Sequence, residues 1–260
     1  MLTKLEALIL GMIQGLTEFL PVSSTGHLYL GRNLFALQEA GLTLDTMLHL
    51  GTLLAVLVFY KREFIQIIKK PFSKLTLLLI VGTLPAVVIG LACKDYFEEI
   101  SQTGVTIGWE FLLTGIFLWF ADSAKNGYKK MDDISYKDAL IIGSFQAVAI
   151  FPAISRSGMT IAAALWRKID RETAAYFSFL LSTPAIAGAV VLQSFDLIKG
   201  QGEEISLSAL LVGIIASAIF GYLAVKWMVG FLKKHSLKPF AIYVWVLGLT
   251  VLFFQFTGKF

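Results

Sequence analysis

Cysteine occurs once, as Cys93, which excludes a disulfide framework and any metal centre built on thiolates. Charge is scarce too: Asp, Glu, Lys and Arg make up 15% of the 260 residues, against 57% hydrophobic ones. A soluble domain of this length has too little interior for so much apolar surface, so the chain reads as an integral membrane protein. No Walker loop, His-Glu-x-x-His zinc pattern or nucleophile elbow is found, which removes three common routes to hydrolytic chemistry. The net charge of +4 does not imply nucleic acid, because loops on one side of a membrane carry such a surplus. A cleaved signal peptide is disfavoured as well. Gln14 and Glu18 interrupt the first apolar run, and the same pattern recurs mid-chain.

What is present is a duplicated element. Gln14-Gly-Leu-Thr-Glu18-Phe-Leu-Pro21-Val-Ser23-Ser24-Thr25-Gly-His27 is answered by Gln146-Ala-Val-Ala-Ile-Phe-Pro152-Ala-Ile-Ser155-Arg156-Ser157-Gly158. Gly11, Gln14, Ser23 and Gly26 recur at one offset as Gly143, Gln146, Ser155 and Gly158, with the proline displaced by one residue. Six stretches are long enough to span a bilayer: about 42–60, 75–92, 105–121, 174–195, 207–225 and 240–257. Two more, 5–20 and 139–151, are too short or too polar to cross alone. Each runs into a Pro/Ser/Gly turn and a second short helix, about 24–36 and 157–167. Such a helix–turn–helix describes a re-entrant hairpin, tolerable at depth only when buried in protein or lining a wet cavity.

The fold class expected is therefore an all-α polytopic membrane protein with six spans. It is a single membrane domain built as an inverted repeat, each half one hairpin and three spans, divided at about 1–130 and 131–260. Three spans per half is odd, so the halves start on opposite faces and their hairpins meet near the midplane. One face carries only Lys4, Arg32, Lys94, Lys199 and Lys259, diluted by Glu39, Asp95, Glu98, Glu99, Glu203 and Glu204. The other carries sixteen basic residues, among them Lys61, Arg62, Lys69, Lys70, Lys74, Lys125, Lys129, Lys130, Arg167, Lys168 and Lys226. The basic face is expected to be cytoplasmic, leaving both termini and the first hairpin's mouth outside. Tyr60, Trp109, Trp119 and Trp227 fall near span ends, as in an aromatic belt.

Polar residues within the apolar layer are the candidate site. Gln14 and Glu18 share one helix face. A carboxylate there costs roughly 2.5–3.5 kcal/mol on insertion scales and so faces a cavity or a partner; the plainer account bonds it to the hairpin's own backbone. Ser23, Ser24 and Thr25, like Ser155 and Ser157, stand at helix starts. There they cap the helix or, with its free N–H groups, take an anion. His27, one turn into its helix, comes within reach of Glu18 in a tight hairpin, as acid/base or nucleophile. Arg156 is the one remaining basic residue of the 22 and lies inside the layer. Its guanidinium suits a bidentate grip on phosphate, and an internal pair with Glu18 is compatible with that role. Asp45 and His49 read as a local hydrogen-bonded pair, Glu110 as an interfacial carboxylate and His235 as a solvated loop residue.

At these residues the chain resembles the undecaprenyl-diphosphate phosphatase family, also called the bacitracin-resistance protein family. Residues 14–27 resemble its first motif and Ser155-Arg156-Ser157-Gly158 its second. Leu48-His49-Leu-Gly-Thr-Leu-Leu-Ala and His235-Ser-Leu-Lys-Pro-Phe-Ala-Ile-Tyr243 extend the likeness over nearly the whole chain. The resemblance implies removal of the terminal phosphate from a C55 polyprenyl diphosphate at the outer face of the bacterial inner membrane. That reaction recycles the lipid carrier of cell-wall synthesis and confers bacitracin resistance. It further implies a divalent cation, magnesium or calcium, linked to Glu18 with Gln14 beside it. Ser24 and His27 become nucleophile or acid/base candidates, and Arg156 the phosphate clamp, with Ser23, Thr25, Ser155 and Ser157 around the phosphate. A homodimer is compatible with this, and nucleic acid is not involved. Two departures stand out, since many members carry Glu at the position of Gln14 and Gly at that of Ala153. The competing reading is a transporter or flippase of a phosphate-bearing lipid or anion, distinguished by vectorial movement without phosphate release. A non-catalytic scaffold leaves Glu18 and Arg156 unexplained.

Overall fold

The computed structural model of the chain describes residues 2–37, 41–124, 127–200 and 202–258. Glu39, Lys125 and Lys259 lie outside these, and the side chains of Asp95 and Glu98 are likewise outside the description. The described residues form twelve α-helices, one short 3-10 turn and a single isolated bridge between Lys129 and Ile169.

Two helix–turn–helix units stand at the expected places. Helix α1 (Lys4–Phe19) opens on a capping box between Thr3 and Glu6 and ends at Leu20, which turns extended ahead of Pro21. Helix α2 (Ser24–Leu34) follows, with the Ser23 hydroxyl capping Gly26 N–H at 3.3 Å. Ser23 itself holds a left-handed φ of 69°. The second hairpin repeats this. Helix α8 (Tyr136–Val148) starts from a Ser135/Asp138 capping box, and α9 (Arg156–Trp166) from Ser155 capping Gly158 N–H at 3.1 Å. From Lys4 to Tyr136 and from Ser24 to Arg156 the step is the same, 132 residues.

Five helices are long and apolar enough to cross a membrane: α3 (Gly41–Phe59), α5 (Lys74–Ala92), α10 (Arg171–Ile198), α11 (Leu207–Leu232) and α12 (Lys238–Phe256). The sixth stretch forms α7 (Ile107–Asp122), but its 16 residues reach only about 24 Å at the helical rise, short of a bilayer core of about 30 Å. The halves also differ in continuity. In the first half α3 breaks at Tyr60 into the short α4 (Lys61–Lys69), and α5 breaks at Cys93 into α6 (Lys94–Thr103). In the second half α10 and α11 run unbroken for 28 and 26 residues. Lys61 and Arg62 supply the reason for the first break, since a charged pair does not continue into hydrocarbon. Tyr60 is itself buried at that corner, 4% exposed, unlike the half-exposed Trp109 and Trp227.

Glycine sets how closely the helices approach. On α1, Gly11 and Gly15 face Gly213, Ser217 and Gly221 of α11. A Cβ at Gly11 would lie 2.5 Å from the Gly213 carbonyl oxygen, and one at Gly15 2.7 Å from both Gly221 N and Ser217 O. Gly143 of α8 meets the Gly82 carbonyl of α5 in the same manner, and Gly108 of α7 meets Gly248 of α12. With no hydrophobic drive between helices in lipid, such small-residue seams let dispersion hold the bundle. A polar knot secures the base of the second hairpin. The buried Asp138 carboxylate accepts from Lys129 Nζ at 2.9 Å, Arg167 Nε at 2.7 Å and both the amide and hydroxyl of Ser135. Burial alone would raise the Asp138 carboxyl, but the bonds from Lys129, Ser135 and Arg167 outweigh it and hold it well below the ordinary carboxylate range.

Candidate active site

The end of α1 places Gln14 and Glu18 one turn apart on its inner face, and the rest of the site closes on Glu18. Its side chain is 4% exposed as a residue and every oxygen is engaged. Oε1 is paired with the Arg156 guanidinium. Oε2 accepts from Gln14 Nε2 at 2.9 Å and from Ser24 Oγ at 2.5 Å, and His49 Nε2 stands 3.7 Å away. Arg156 spreads its fork, giving its other terminal nitrogen to the Ser182 carbonyl at 3.0 Å. Ser24 and Arg156 are the first residues of α2 and α9, matched positions in the two hairpins. Two helix N-termini therefore converge on one carboxylate, the polarity that suits negative charge.

The remaining hydroxyls stitch the two turns together. Ser23 Oγ donates to the Pro152 carbonyl at 3.0 Å and Ser157 Oγ to the Leu20 carbonyl at 2.9 Å. Ser155 Oγ caps its own helix and lies 3.3 Å from Ser157 Oγ. Thr25 is half-buried at the second position of α2.

His27 does not meet Glu18. Its Nδ1 lies 2.6 Å from the Ser23 carbonyl and its Nε2 2.8 Å from the Tyr243 hydroxyl of α12. The ring is stacked on Tyr243 and edge-on to Phe111. The imidazole beside Glu18 is His49, from α3, with Nδ1 fixed on the Asp45 main-chain carbonyl at 2.7 Å. The Asp45 carboxylate is turned away to Arg32, so the expected Asp45–His49 pair exists only through the backbone. The clue in the sequence was an imidazole between Leu48 and Leu50 within a span, one turn after Asp45.

Glu110, in the first turn of α7, is buried against protein. It is 5% exposed, accepting from Thr106 Oγ1 at 2.5 Å and from the Ala153 amide at 2.5 Å. One turn on, Thr114 Oγ1 accepts from the Ser155 amide at 3.1 Å. His235 is exposed, stacked on Phe231.

For a divalent cation the residues fit in chemistry. Gln14 Oε1 is buried with no hydrogen-bond partner, an oxygen free to coordinate beside the Glu18 carboxylate and the Ser24 hydroxyl. Oxygen donors of this kind suit hard cations. Among the described residues no group of three His, Cys, Asp or Glu side chains offers a fuller cage.

The arrangement joins an acceptor carboxylate, a hydroxyl already aimed at it and a guanidinium able to change partners. The profile of the family described as bacitracin resistance protein BacA matches residues 7–250. Undecaprenyl-diphosphatase 3 of Bacillus cereus (strain ATCC 14579) is 72% identical over 256 residues, covering 98% of this chain and 99% of that protein. The undecaprenyl-diphosphatase of Carboxydothermus hydrogenoformans is 48% identical over 261 residues, spanning both chains completely. That of Halothermothrix orenii is 39% identical over 249 residues, covering 95% of this chain and 96% of its own.

Proposed function

This chain belongs to the bacitracin resistance protein BacA family, and on that premise we propose that it is an undecaprenyl-diphosphatase. It is a multi-pass membrane enzyme that hydrolyses a C55 polyprenyl diphosphate to the monophosphate and inorganic phosphate. The observation that carries this reading is the meeting of Ser24, Glu18 and Arg156 at the ends of two buried hairpins. A lipid diphosphate needs such a place, with its head beside a fixed cation and its tail in the bilayer.

In the mechanism we assign, the terminal phosphate takes the Arg156 fork away from Glu18. That frees the carboxylate to act as base. The Ser24 hydroxyl, whose proton already points at Glu18 Oε2, attacks the terminal phosphorus as that proton passes to the carboxylate. The bond from phosphorus to the bridging oxygen breaks, and the lipid monophosphate leaves with the electron pair. Water then attacks the phosphoserine, the bond from phosphorus to Ser24 Oγ breaks as Glu18 returns its proton to that oxygen, and inorganic phosphate departs carrying the water's protons. Arg156 balances the charge on the equatorial oxygens throughout. His49 keeps Glu18 oriented from the α3 side, and His27, held by the Ser23 carbonyl and Tyr243, carries no proton in these steps. A bound magnesium or calcium ion would supply further charge neutralisation at the phosphates, with Gln14 Oε1 and Glu18 as its protein ligands.

The finer topology belongs to the same proposal. We take α7 as a sixth, short crossing, the two halves as inverted, and both termini and the site's mouth as lying outside. The support is the step of 132 residues between matched helices together with the loop-charge asymmetry.

The test is a single-turnover acid quench with substrate labelled in its terminal phosphate. The wild-type protein is expected to carry label transiently, and Ser24→Ala neither to carry label nor to turn over. Normal phosphate release by Ser24→Ala would move the attack to water. No release by the wild-type protein, with or without added cation, would remove the enzymatic reading.

A further inference from the structure

Both turns are tied to each other, but only the turn that presents Arg156 has main-chain amides held by side chains of a helix outside the hairpins, among the described residues. Between α8 and α9 the chain leaves helical geometry, so its amides need acceptors from elsewhere. Helix α7 supplies two on one face: the Glu110 carboxylate for Ala153 N–H and the Thr114 hydroxyl for Ser155 N–H. The second of these residues directly precedes Arg156. Applying the step of 132 residues, the matching positions on α12 are Ile242 and Val246, apolar and 52% and 60% exposed. These two positions of α12 thus offer the first turn no acceptor, and there Ser23 sits at its left-handed φ.

A buried carboxylate is an expensive way to satisfy an amide, since a hydroxyl or a main-chain carbonyl would serve. What a carboxylate adds is a charge-assisted bond, shorter and stiffer than a neutral one. Its second oxygen is pinned by Thr106, so the acceptor is fixed in turn. We propose that Glu110 is a positioning residue that acts with Thr114. By fixing residues 152–155 it sets where the guanidinium of Arg156 stands relative to Glu18 and Ser24. This inference rests on the phosphatase reading for its catalytic consequence, though not for its structural one.

The experiment uses the full-length protein in detergent, with Glu110→Gln, Glu110→Ala and Thr106→Val, alone and combined with Arg156→Lys. Phosphate release is measured against lipid diphosphate concentration, and hydrogen exchange is followed in peptides covering 149–158 and 20–27. Glu110→Ala should lower kcat/KM by roughly tenfold to a hundredfold, the cost of misplacing a positioned group by about an ångström. Glu110→Gln, whose amide oxygen can still accept from Ala153 N–H, should recover much of that loss, and it covers the case in which the alanine variant does not fold. Thr106→Val, which frees the second oxygen of Glu110, should lower kcat/KM in the same direction but by less than Glu110→Ala does. In the Arg156→Lys background, removing Glu110 should cost under about threefold more, because coupled residues do not lose activity independently. Exchange should rise over 149–158 and stay unchanged over 20–27. Full activity in Glu110→Ala, losses that multiply independently of Arg156, or unchanged exchange over 149–158 would each overturn the inference. If the wild-type protein releases no phosphate, the phosphatase reading fails, and the exchange comparison still decides whether Glu110 fixes the turn.

Discussion

Replacing Gly11 with alanine tests whether the seam between α1 and α11 sets the geometry of the site. The new methyl carbon would stand 2.5 Å from the Gly213 carbonyl oxygen and 2.9 Å from the Ala216 Cβ. An ordinary contact needs about 3.4 Å, so α1 must withdraw from α11 by about 0.9 Å, and backbone on both sides leaves no flexible side chain to absorb the strain. Overpacking of this kind typically costs about 1–3 kcal/mol, and the helix preference for alanine over glycine returns about 0.8–1 kcal/mol. The net loss of stability is then about 0–2 kcal/mol. Glu18 lies on the same helix, seven residues on, and moves with it. Its bonds to Ser24 Oγ on α2, at 2.5 Å, and to the Arg156 guanidinium on α9 do not survive a shift of that size, whereas Gln14 moves with it. A displacement of about 1 Å can cost about a hundredfold in rate. The expected signature is at most a modest fall in melting temperature with a loss of kcat near two orders of magnitude. Gly188→Ala on α10, where nothing lies within 4 Å of the added carbon, is the control and should melt no lower and turn over normally. Wild-type melting and wild-type turnover in Gly11→Ala would refute the reasoning.

Arg156→Lys should lose at least about tenfold in kcat/KM despite keeping the charge, since an ammonium cannot hold both the Glu18 side and the Ser182 carbonyl in a planar fork; near-normal turnover would reduce Arg156 to a counter-ion. Gln14→Glu should need less magnesium for half-maximal rate and for thermal stabilisation by the ion, and Gln14→Leu more, because ligand charge tightens hard-cation sites; identical curves in rate and melting would remove Gln14 from the cation. Asp138→Asn should destabilise the protein by roughly 2–3 kcal/mol at neutral pH, less than a fully buried pair because Lys129 and Arg167 keep some solvent. The folded-state value of Asp138 is depressed, so its contribution is complete above the unfolded carboxylate value of about 3.9 and is lost as the pH falls below it. The gap between the two proteins should therefore be constant from pH 8 to about 5 and close under acid, and a gap that widens under acid would reverse the assignment.

The parts of this architecture visible in the sequence are those with a local cause. Short apolar runs ending in Pro21 or ahead of Pro152 announce a helix that cannot continue, and the offset between Gly11 and Gly143 announces the copy. The pairing of Glu18 with Arg156 follows from the cost of either charge alone in an apolar layer. Other features depend on rotation about helix axes, which spacing does not encode. His27 is nearer Glu18 along the chain, yet α2 turns it toward α7 and α12, while α3 brings His49 alongside. Glu110 was hidden for a different reason: its partner is a main-chain amide of Ala153, which has no side-chain signature. Tyr60 reads as a belt residue from its place at a span end, but the bend into α4 turns it inward.

The division of the centre between the halves has a genetic consequence. Gln14, Glu18, Ser24 and His49 all come from the first half, and Arg156 with its Ser182 support from the second. At the positions matching Glu18 and His27 the second half has Ile150 and Met159, so it holds no spare of either. Duplicated architecture has therefore brought no redundancy. On the proposed mechanism, loss of Glu18 in one half or of Arg156 in the other should each abolish turnover. Two alleles damaged in different halves restore a working centre only if their helices exchange between chains.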